Sequence, residues 1–272
     1  MNNIPVTVII PVKNEEVNLP KCLKKLKEFN QIIVVDSSSS DATPEIAKKK
    51  KAEYYNFVWD GKFPKKRNWA LRNLQLKNKW VLFLDADEYL TQDFKEELKD
   101  KLIDQGVNGY WITYRNYFMG KELKFGDPMK KLALFRVGYG EYEKIEEDLW
   151  SHLDMEVHEH PVIEGKTGSI KEPVIHNDYK DLEHFISKHN AYSTWEAKRY
   201  LQLRESGFQD LNARQKIKYR LMGAGLLPVV YFLAAYIGKL GFLDGKTGYY
   251  LARYKSNYFF QIQTKIKEIS RK

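Results

Sequence analysis

The sequence predicts an α/β fold: a mostly parallel sheet flanked by helices, followed by a C-terminal helical appendage. Three observations carry this expectation. The first ninety residues alternate short apolar runs with amphipathic stretches, the pattern that builds a parallel sheet with right-handed crossovers. The run Trp80-Val81-Leu82-Phe83-Leu84 passes straight into Asp85-Ala86-Asp87-Glu88, which reads as a strand buried on both faces and ending on acids. Residues 221–238 carry no charge and lie between Arg220 and Lys239, so the tail has a different character.

The elements follow in order. Val6-Thr7-Val8-Ile9-Ile10-Pro11-Val12 is a first strand, β-branched and apolar, ended by Pro11. Residues 18–29 read as an amphipathic helix with Leu19, Leu23, Leu26 and Phe29 as its buried stripe. Gln31-Ile32-Ile33-Val34-Val35-Asp36 is a second strand, again closing on an acid. After a polar turn, Asp41 or Thr43 caps a helix over 45–51 with Pro44 at its first position. Residues 54–58 form a third strand, and the basic triplet Lys65-Lys66-Arg67 starts a helix that turns Trp69, Leu71 and Leu74 inward. The arrangement is Rossmann-like, yet Gly-x-Gly-x-x-Gly is absent after the first strand, which argues against a dinucleotide.

Beyond the acids, Thr91 opens a helix to about Ile103, and strands are expected over 109–117, 132–136, 156–162 and 174–178. Residues 118–129 form a loop or hairpin, and 182–203 are helical. In the uncharged run of the tail, Pro228 and the glycines break the pattern, and its tyrosines suit an interface. With Lys216, Lys218, Arg220, Lys239, Lys246, Arg253 and Lys255 around it, the run suits the headgroup region of an anionic membrane. A packed helical appendage and a true span remain alternatives.

Composition bounds the chemistry. The 272 residues are 43% hydrophobic and 30% charged, which suits one large soluble domain or a domain with an appendage. The net charge of +9 fits nucleic acid, an anionic membrane or a phosphorylated substrate. Lys and Arg are scattered and form no known nucleic-acid module, so no nucleic-acid partner is expected. Cys22 is the only cysteine, which excludes an intrachain disulfide and fits a reducing compartment. The start lacks a charged-then-apolar signal pattern, so the expected location is cytoplasmic, on the inner face of the cytoplasmic membrane.

The residues with chemistry sit where the strands stop. In open α/β sheets ligands lie outside the carboxyl ends of the strands. Asp85 and Asp87, at i and i+2 of an extended segment, point the same way and repel unless a cation lies between them. Hard cations such as Mg²⁺ take oxygen ligands and share them with substrate phosphates. A solvated acidic turn would look the same. Arg67 could fork onto a phosphate, or lie in a solvated basic turn. Glu159 is a candidate general base. His158 and His160 share a face and read more simply as polar strand residues. His176 is either a second metal ligand or phosphate partner, or a capping or core histidine.

Taken in this order, five stretches resemble the family 2 glycosyltransferases, inverting enzymes with the GT-A fold. They are Val8-Ile9-Ile10-Pro11-Val12-Lys13-Asn14-Glu15-Glu16, Val34-Val35-Asp36-Ser37-Ser38-Ser39-Ser40-Asp41-Ala42-Thr43, Lys66-Arg67-Asn68-Trp69-Ala70-Leu71, Phe83-Leu84-Asp85-Ala86-Asp87-Glu88 and Val157-His158-Glu159. Gly241-Phe242-Leu243-Asp244-Gly245-Lys246 looks like the branch that includes lipopolysaccharide-core β-1,4-glucosyltransferases.

The resemblance implies a GT-A nucleotide-sugar-binding and catalytic domain over 1–180; beyond it the residue pattern reads as a helical extension over 181–215 and a basic, aromatic, membrane-associating tail over 216–272. It places Pro11, Val12 and Glu15 along the base and ribose, Asp36 on the base and Arg67 at the base–phosphate side. Asp85 would face the ribose or metal with Ala86 beside it. Asp87 would hold Mg²⁺ or Mn²⁺ on the diphosphate, and Glu159 would deprotonate the acceptor; His176 joins the metal candidates on its own position at a strand end, not on the resemblance. The implied partners are a nucleotide sugar, a UDP-sugar by preference, and a glycan or glycolipid acceptor such as lipopolysaccharide core. Ser38 and Ala42 stand where family members usually have glycine, and Lys66 where many have Gln. The Gln-x-x-Arg-Trp signature of processive synthases is absent, which implies one sugar per encounter. Two rivals differ in kind. A nucleotidyltransferase would need a glycine- and lysine-rich loop in place of Lys13-Asn14-Glu15-Glu16, and a non-catalytic membrane-bound scaffold would not need the acids.

Overall fold

Strand β1 (Ile4–Val12) is apolar on both faces because it lies between two layers. Val6, Val8, Ile10 and Val12 pack on one side, against Leu19, Cys22, Leu23 and Leu26. Ile9 faces the other, with Ile33, Val35, Val81, Phe83 and Ala70. Each such side chain contributes about 1.5–3 kcal/mol when fully buried, so a sequence without a polar face is stable only here. The computed structural model describes residues 3–145, 147, 150–151, 154, 160–177, 181–209 and 211–271.

Helix α1 (Leu19–Lys25) leads to β2 (Phe29–Asp36), α2 (Thr43–Lys49) to β3 (Glu53–Asn56), and α3 (Lys66–Asn73) to β4 (Trp80–Phe83). These strands are parallel: Val12 pairs with Asp36, Ile9 with Phe83 and Val34 with Tyr54. A two-residue strand β5 (Glu88–Tyr89) and helix α4 (Gln92–Lys101) follow, α4 capped by Thr91, whose hydroxyl accepts the Phe94 N–H at 3.1 Å. Then β6 (Gly109–Phe118), β7 (Lys121–Leu123), β8 (Met129–Arg136), β9 (Gly140–Tyr142), β10 (Pro161–Ile163) and β11 (Thr167–His176) complete the strands. The main order is β3-β2-β1-β4-β8-β6-β11-β5. The β4–β8, β8–β6 and β11–β5 pairs are antiparallel, so the sheet is mixed: its first half is parallel and its second half turns back on itself.

Several element bounds differ from expectation: the second helix ends at Lys49 and the strand expected over 174–178 begins at Thr167 and ends at His176, and two further differences have a clear physical reason. Helix α1 ends at Lys25 rather than running to 29, because the chain turns at Leu26 and the Ile4 N–H bonds Glu28 O at 2.7 Å. Phe29 is buried as the first residue of β2, and only by coincidence at helical spacing. The third strand stops at Asn56 rather than 58. There Phe57 N–H bonds Asp36 O at 2.7 Å and the chain leaves the sheet, with Val58 exposed.

The chain divides into two units, Met1–Arg115 with Met129–Asn177, and Asn116–Pro128 with Asp178–Lys272. The second is helical: α5 (Leu182–Ser206), α6 (Ala213–Gly223), α7 (Leu227–Leu233) and α8 (Gly245–Ile269), with a π turn over Ala234–Gly238 and a 3-10 turn over Gly241–Asp244. Asp181 caps α5, and an Asn212–Gln215 capping box starts α6. Gly225, at φ +80°, breaks the uncharged run between α6 and α7. Ala197, Leu203, Tyr219, Met222, Leu227 and Ile262 form its core. Residues 116–128 belong to this unit as a hairpin in which Phe118 pairs with Lys121 and Met119 and Gly120 both take positive φ. The Asp244 carboxylate accepts the N–H groups of Lys124 and Phe125 at 3.1 and 2.9 Å, and Lys121 Nζ donates to Asp244 O at 2.6 Å. The Gly241-Phe242-Leu243-Asp244-Gly245-Lys246 motif is thus a clamp on that hairpin.

Candidate active site

The site forms at the carboxyl ends of β1, β2 and β4. Val12, buried with Pro11 at the end of β1, gives its carbonyl to Ser37 N–H at 3.1 Å and to Lys66 Nζ at 3.0 Å. Lys66 is buried; burial lowers its pKa, and Asp154 opposes that shift. The loops after β1 and β2 are zipped together. Asn14 N–H bonds Ser39 Oγ at 2.7 Å, Ser40 N–H bonds Asn14 Oδ1 at 2.9 Å, and Glu15 N–H bonds Thr43 Oγ1 at 2.8 Å. The Glu15 carboxylate accepts Asn18 Nδ2 at 2.8 Å.

Asp36 is fully buried. It accepts Ser39 Oγ at 2.5 Å and Tyr54 OH at 2.9 Å, and burial together with this carboxylate pushes the Tyr54 phenol up to about 12. Tyr54 and Ser39 are partners that sequence reasoning missed, since both read as ordinary strand and turn residues.

Asp85 lies between two cations. Arg67 Nη2 donates to its Oδ1 at 3.0 Å and Lys131 Nζ to its Oδ2 at 2.8 Å. Lys131 also reaches Glu88 Oε1 at 2.5 Å and stands 5.1 Å from the centre of the Tyr114 ring, while Arg67 lies over Tyr142 at 5.3 Å. Burial opposes charge on Asp85, but Lys131 and Arg67 outweigh it and hold the carboxyl well below its usual range. Glu88 is pushed by burial up to about 7, with Lys131 pulling the other way and Asp85 adding to the rise. Two carboxyls therefore share one lysine unequally: Asp85 keeps the charge and Glu88 gives it up near neutrality. Lys131 was missed because Met-Lys-Lys-Leu reads as the polar start of an ordinary strand; only the β4–β8 pairing brings it here.

Asp87 and His176 meet through β5 and β11. Glu88 pairs with His176 in that antiparallel ladder, and Asn177 N–H bonds Asp87 O at 3.1 Å. Asp87 Oδ2 and His176 Nε2 are 3.9 Å apart. Two ligands of one cation, at bond lengths of about 2.1 Å, lie between ~2.8 and ~4.2 Å from each other, so this pair fits a shared divalent ion. Among the described residues no group of three or more His, Cys, Asp and Glu side chains converges. Both oxygens of Asp85 are engaged by Arg67 and Lys131, which leaves Asp87 and His176 as the expected metal-holding side chains that could take an ion. Ala86 is buried between the two acids. Glu159, with His158, lies outside the described residues.

Known proteins share both sequence and fold with this chain. Over 264 residues it is 27% identical to the lipopolysaccharide core biosynthesis glycosyltransferase LpsC of Rhizobium meliloti (strain 1021), covering 90% of this chain and 88% of that one. It is 25% identical over 199 residues to the uncharacterized glycosyltransferase RT0209 of Rickettsia typhi, covering 71% and 67%. The mannosyltransferase PcManGT from Pyrobaculum calidifontis, solved with GDP-Man and Mn²⁺, matches with a TM-score of 0.54 at 14% identity over 97% of this chain and 87% of that one. That match shows the expected GT-A fold. The family model described as Glycosyl transferase family 2 matches residues 7–152, more than half of the chain. The chain belongs to glycosyl transferase family 2.

Proposed function

We propose that this enzyme transfers one hexose per encounter, with inversion, from a UDP-sugar to a hydroxyl of a glycan or glycolipid such as lipopolysaccharide core. It does so with Mg²⁺ or Mn²⁺ at the inner face of the cytoplasmic membrane. The observation that carries the reading is the Asp87–His176 pair beside an Asp85 fixed by Arg67 and Lys131, all at the ends of the sheet. The relative LpsC, by its name, acts in lipopolysaccharide core biosynthesis, and PcManGT was solved with a nucleotide sugar and Mn²⁺; both support the acceptor class and the metal.

Pro11, Val12 and Glu15 line the base and ribose, and Asp36 holds the loop on which the base rests. Asp85, with Ala86, faces the ribose. Asp87 and His176 hold the divalent ion, which supplies charge neutralisation on the departing diphosphate. Arg67 adds a fixed cation on the phosphate side. Glu159 accepts the proton of the acceptor hydroxyl. That oxygen bonds the anomeric carbon from the face opposite the diphosphate, and the electrons of the breaking carbon–oxygen bond leave on the phosphate. One base suffices, since no glycosyl-enzyme forms.

The test is a panel of nucleotide sugars with Mn²⁺ or Mg²⁺, scored by thermal shift and slow donor hydrolysis. Stabilisation by UDP species is expected, and stabilisation by GDP species alone would reject the donor assignment. Glu159→Gln should cut transfer by about 10²–10⁴-fold while donor binding survives. Undiminished transfer would remove Glu159 from the base role.

A further inference from the structure

The second unit breaks the burial rule in one place. Of the large apolar side chains standing exposed among the described residues, about half fall within residues 226–250. On α7 and its π turn, Val229 (60% exposed), Leu233 and Ile237 (56%) recur at i, i+4 and i+8 and so share one face. The other face, with Leu227, Pro228 and Ala235, is buried. This helix is therefore apolar all round, yet covered on one side only. Leu240, Phe242 and Leu243 continue the exposed surface through the 3-10 turn, and Tyr249 and Tyr250 follow on α8. A concentration of exposed apolar side chains in one stretch marks a contact with something apolar.

Charge identifies the occupant. Between residues 213 and 255 the only acid is Asp244, which is buried and bonded to two backbone N–H groups. Arg220, Lys239, Lys246 and Arg253 are exposed around the apolar surface. An apolar face rimmed by cations and tyrosines matches an anionic bilayer, with acyl chains below and phosphates at the rim.

Length decides the depth. Among the described residues no single helix is long and apolar enough to cross a membrane. The one candidate pair, Leu227–Gly238 with Gly241–Ile269, is bent by 71°. The first arm has 12 residues and extends ~18 Å, against the ~30 Å of a hydrocarbon core. We infer that α7, the π turn and the 3-10 turn form a wedge that inserts into one leaflet of an anionic membrane, with Lys239 and Lys246 on the headgroup phosphates. This deepens the membrane location proposed above by naming the surface. Donor hydrolysis does not depend on it, so the two readings fail separately.

Cys22 is fully buried, and burial with the nearby acids pushes its thiol up, so a cysteine introduced at the surface is the one that takes a label. Val229→Cys and Leu243→Cys, each carrying an environment-sensitive fluorophore, should brighten and shift to the blue with vesicles of phosphatidylethanolamine and phosphatidylglycerol. Val17→Cys, in the other unit, should not respond. Pairing Leu233→Ser with Ile237→Ser should abolish co-sedimentation at an unchanged melting temperature. Lys239→Gln and Lys246→Gln should each weaken it about fivefold at low salt. Silent labels at 229 and 243 would overturn the inference. So would equal binding to pure phosphatidylcholine, or label changes that track protein concentration without lipid, which would make the surface a contact with a second copy.

Discussion

Among the described residues two charge clusters make an instructive contrast, because they are built for different purposes. In the first unit Arg67, Lys131, Asp85 and Glu88 lie at the ends of the strands, beside Asp87 and His176. In the second, Lys255 pairs with Asp127 next to Tyr231. Burial opposes charge on both members of that pair, yet each holds the other charged, and the Tyr231 phenol is pushed up to about 12. One cation meets one anion there, and the pair ties the 116–128 hairpin to α8. The first cluster has two cations around one firmly charged acid, with a second acid near neutrality. Perturbed protonation marks both, so it does not by itself distinguish a site from a clamp. Position does: one lies where an open sheet ends, with a carboxylate and an imidazole 3.9 Å apart beside it.

The largest expected effect tests whether the first cluster is a site at all. Asp87→Ala should lower metal-dependent transfer on the order of 10³-fold, with the melting temperature within a degree or so of the parent. A rate within a few fold of the parent would make the strand ends a second clamp.

Next come the two lysines. Lys131→Met should lower kcat/KM for donor at least about tenfold, by releasing Asp85, and cost about 1–3 kcal/mol of stability. Adding Glu88→Gln should return part of the stability and none of the activity, a coupling that a double-mutant cycle reads directly. Lys255→Met should cost stability in the same range and leave kcat/KM per folded molecule unchanged. Equal effects of the two on kcat/KM would erase the distinction between the clusters.

A smaller effect separates them by pH. Asp127 is held below its unfolded value of about 3.9. Its contribution is thus complete above that value and is lost as pH falls through the folded pKa. The gap in melting temperature between parent and Asp127→Asn should be constant from pH 7 to about pH 5 and shrink below about 4. A gap independent of pH would mean that Asp127 acts through packing and not through charge.

Much of the first unit was legible because its signals are local. The β1, β2 and β4 runs are apolar on both faces, and each ends on Val12, Asp36 or the Asp85 turn without reference to distant residues. Lys131, Tyr114 and Tyr54 were not legible, because each acquires its role from a carboxylate on another segment, 46, 26 and 18 residues away, that only the folded sheet brings to it. The same is true of Asp244: it reads as one acid in a glycine-rich turn, and its two N–H partners lie 120 and 119 residues away. The end of α1 failed for another reason. A 3.6-residue period and the first position of a strand can fall on the same side chain, and Phe29 is where they do.

The smallest effect concerns the turn that carries Asp36. Ser38 has φ +52°, where a side chain is strained and glycine is not, and its N–H and hydroxyl both bond Asn56 Oδ1 at 3.1 Å. Ala42 has φ −74° and needs no such freedom. The two places where the resemblance expects glycine therefore differ physically. Ser38→Gly relieves about 1 kcal/mol of strain and forfeits an exposed hydrogen bond worth about half of that. A rise in melting temperature of about 1–2 °C is expected, with donor KM unchanged. Ala42→Gly removes a favourable side chain at the start of α2 and should lower the melting temperature slightly. If Ser38→Gly instead raised donor KM, the Ser38–Asn56 contact would belong to the binding cluster rather than to the scaffold beneath it.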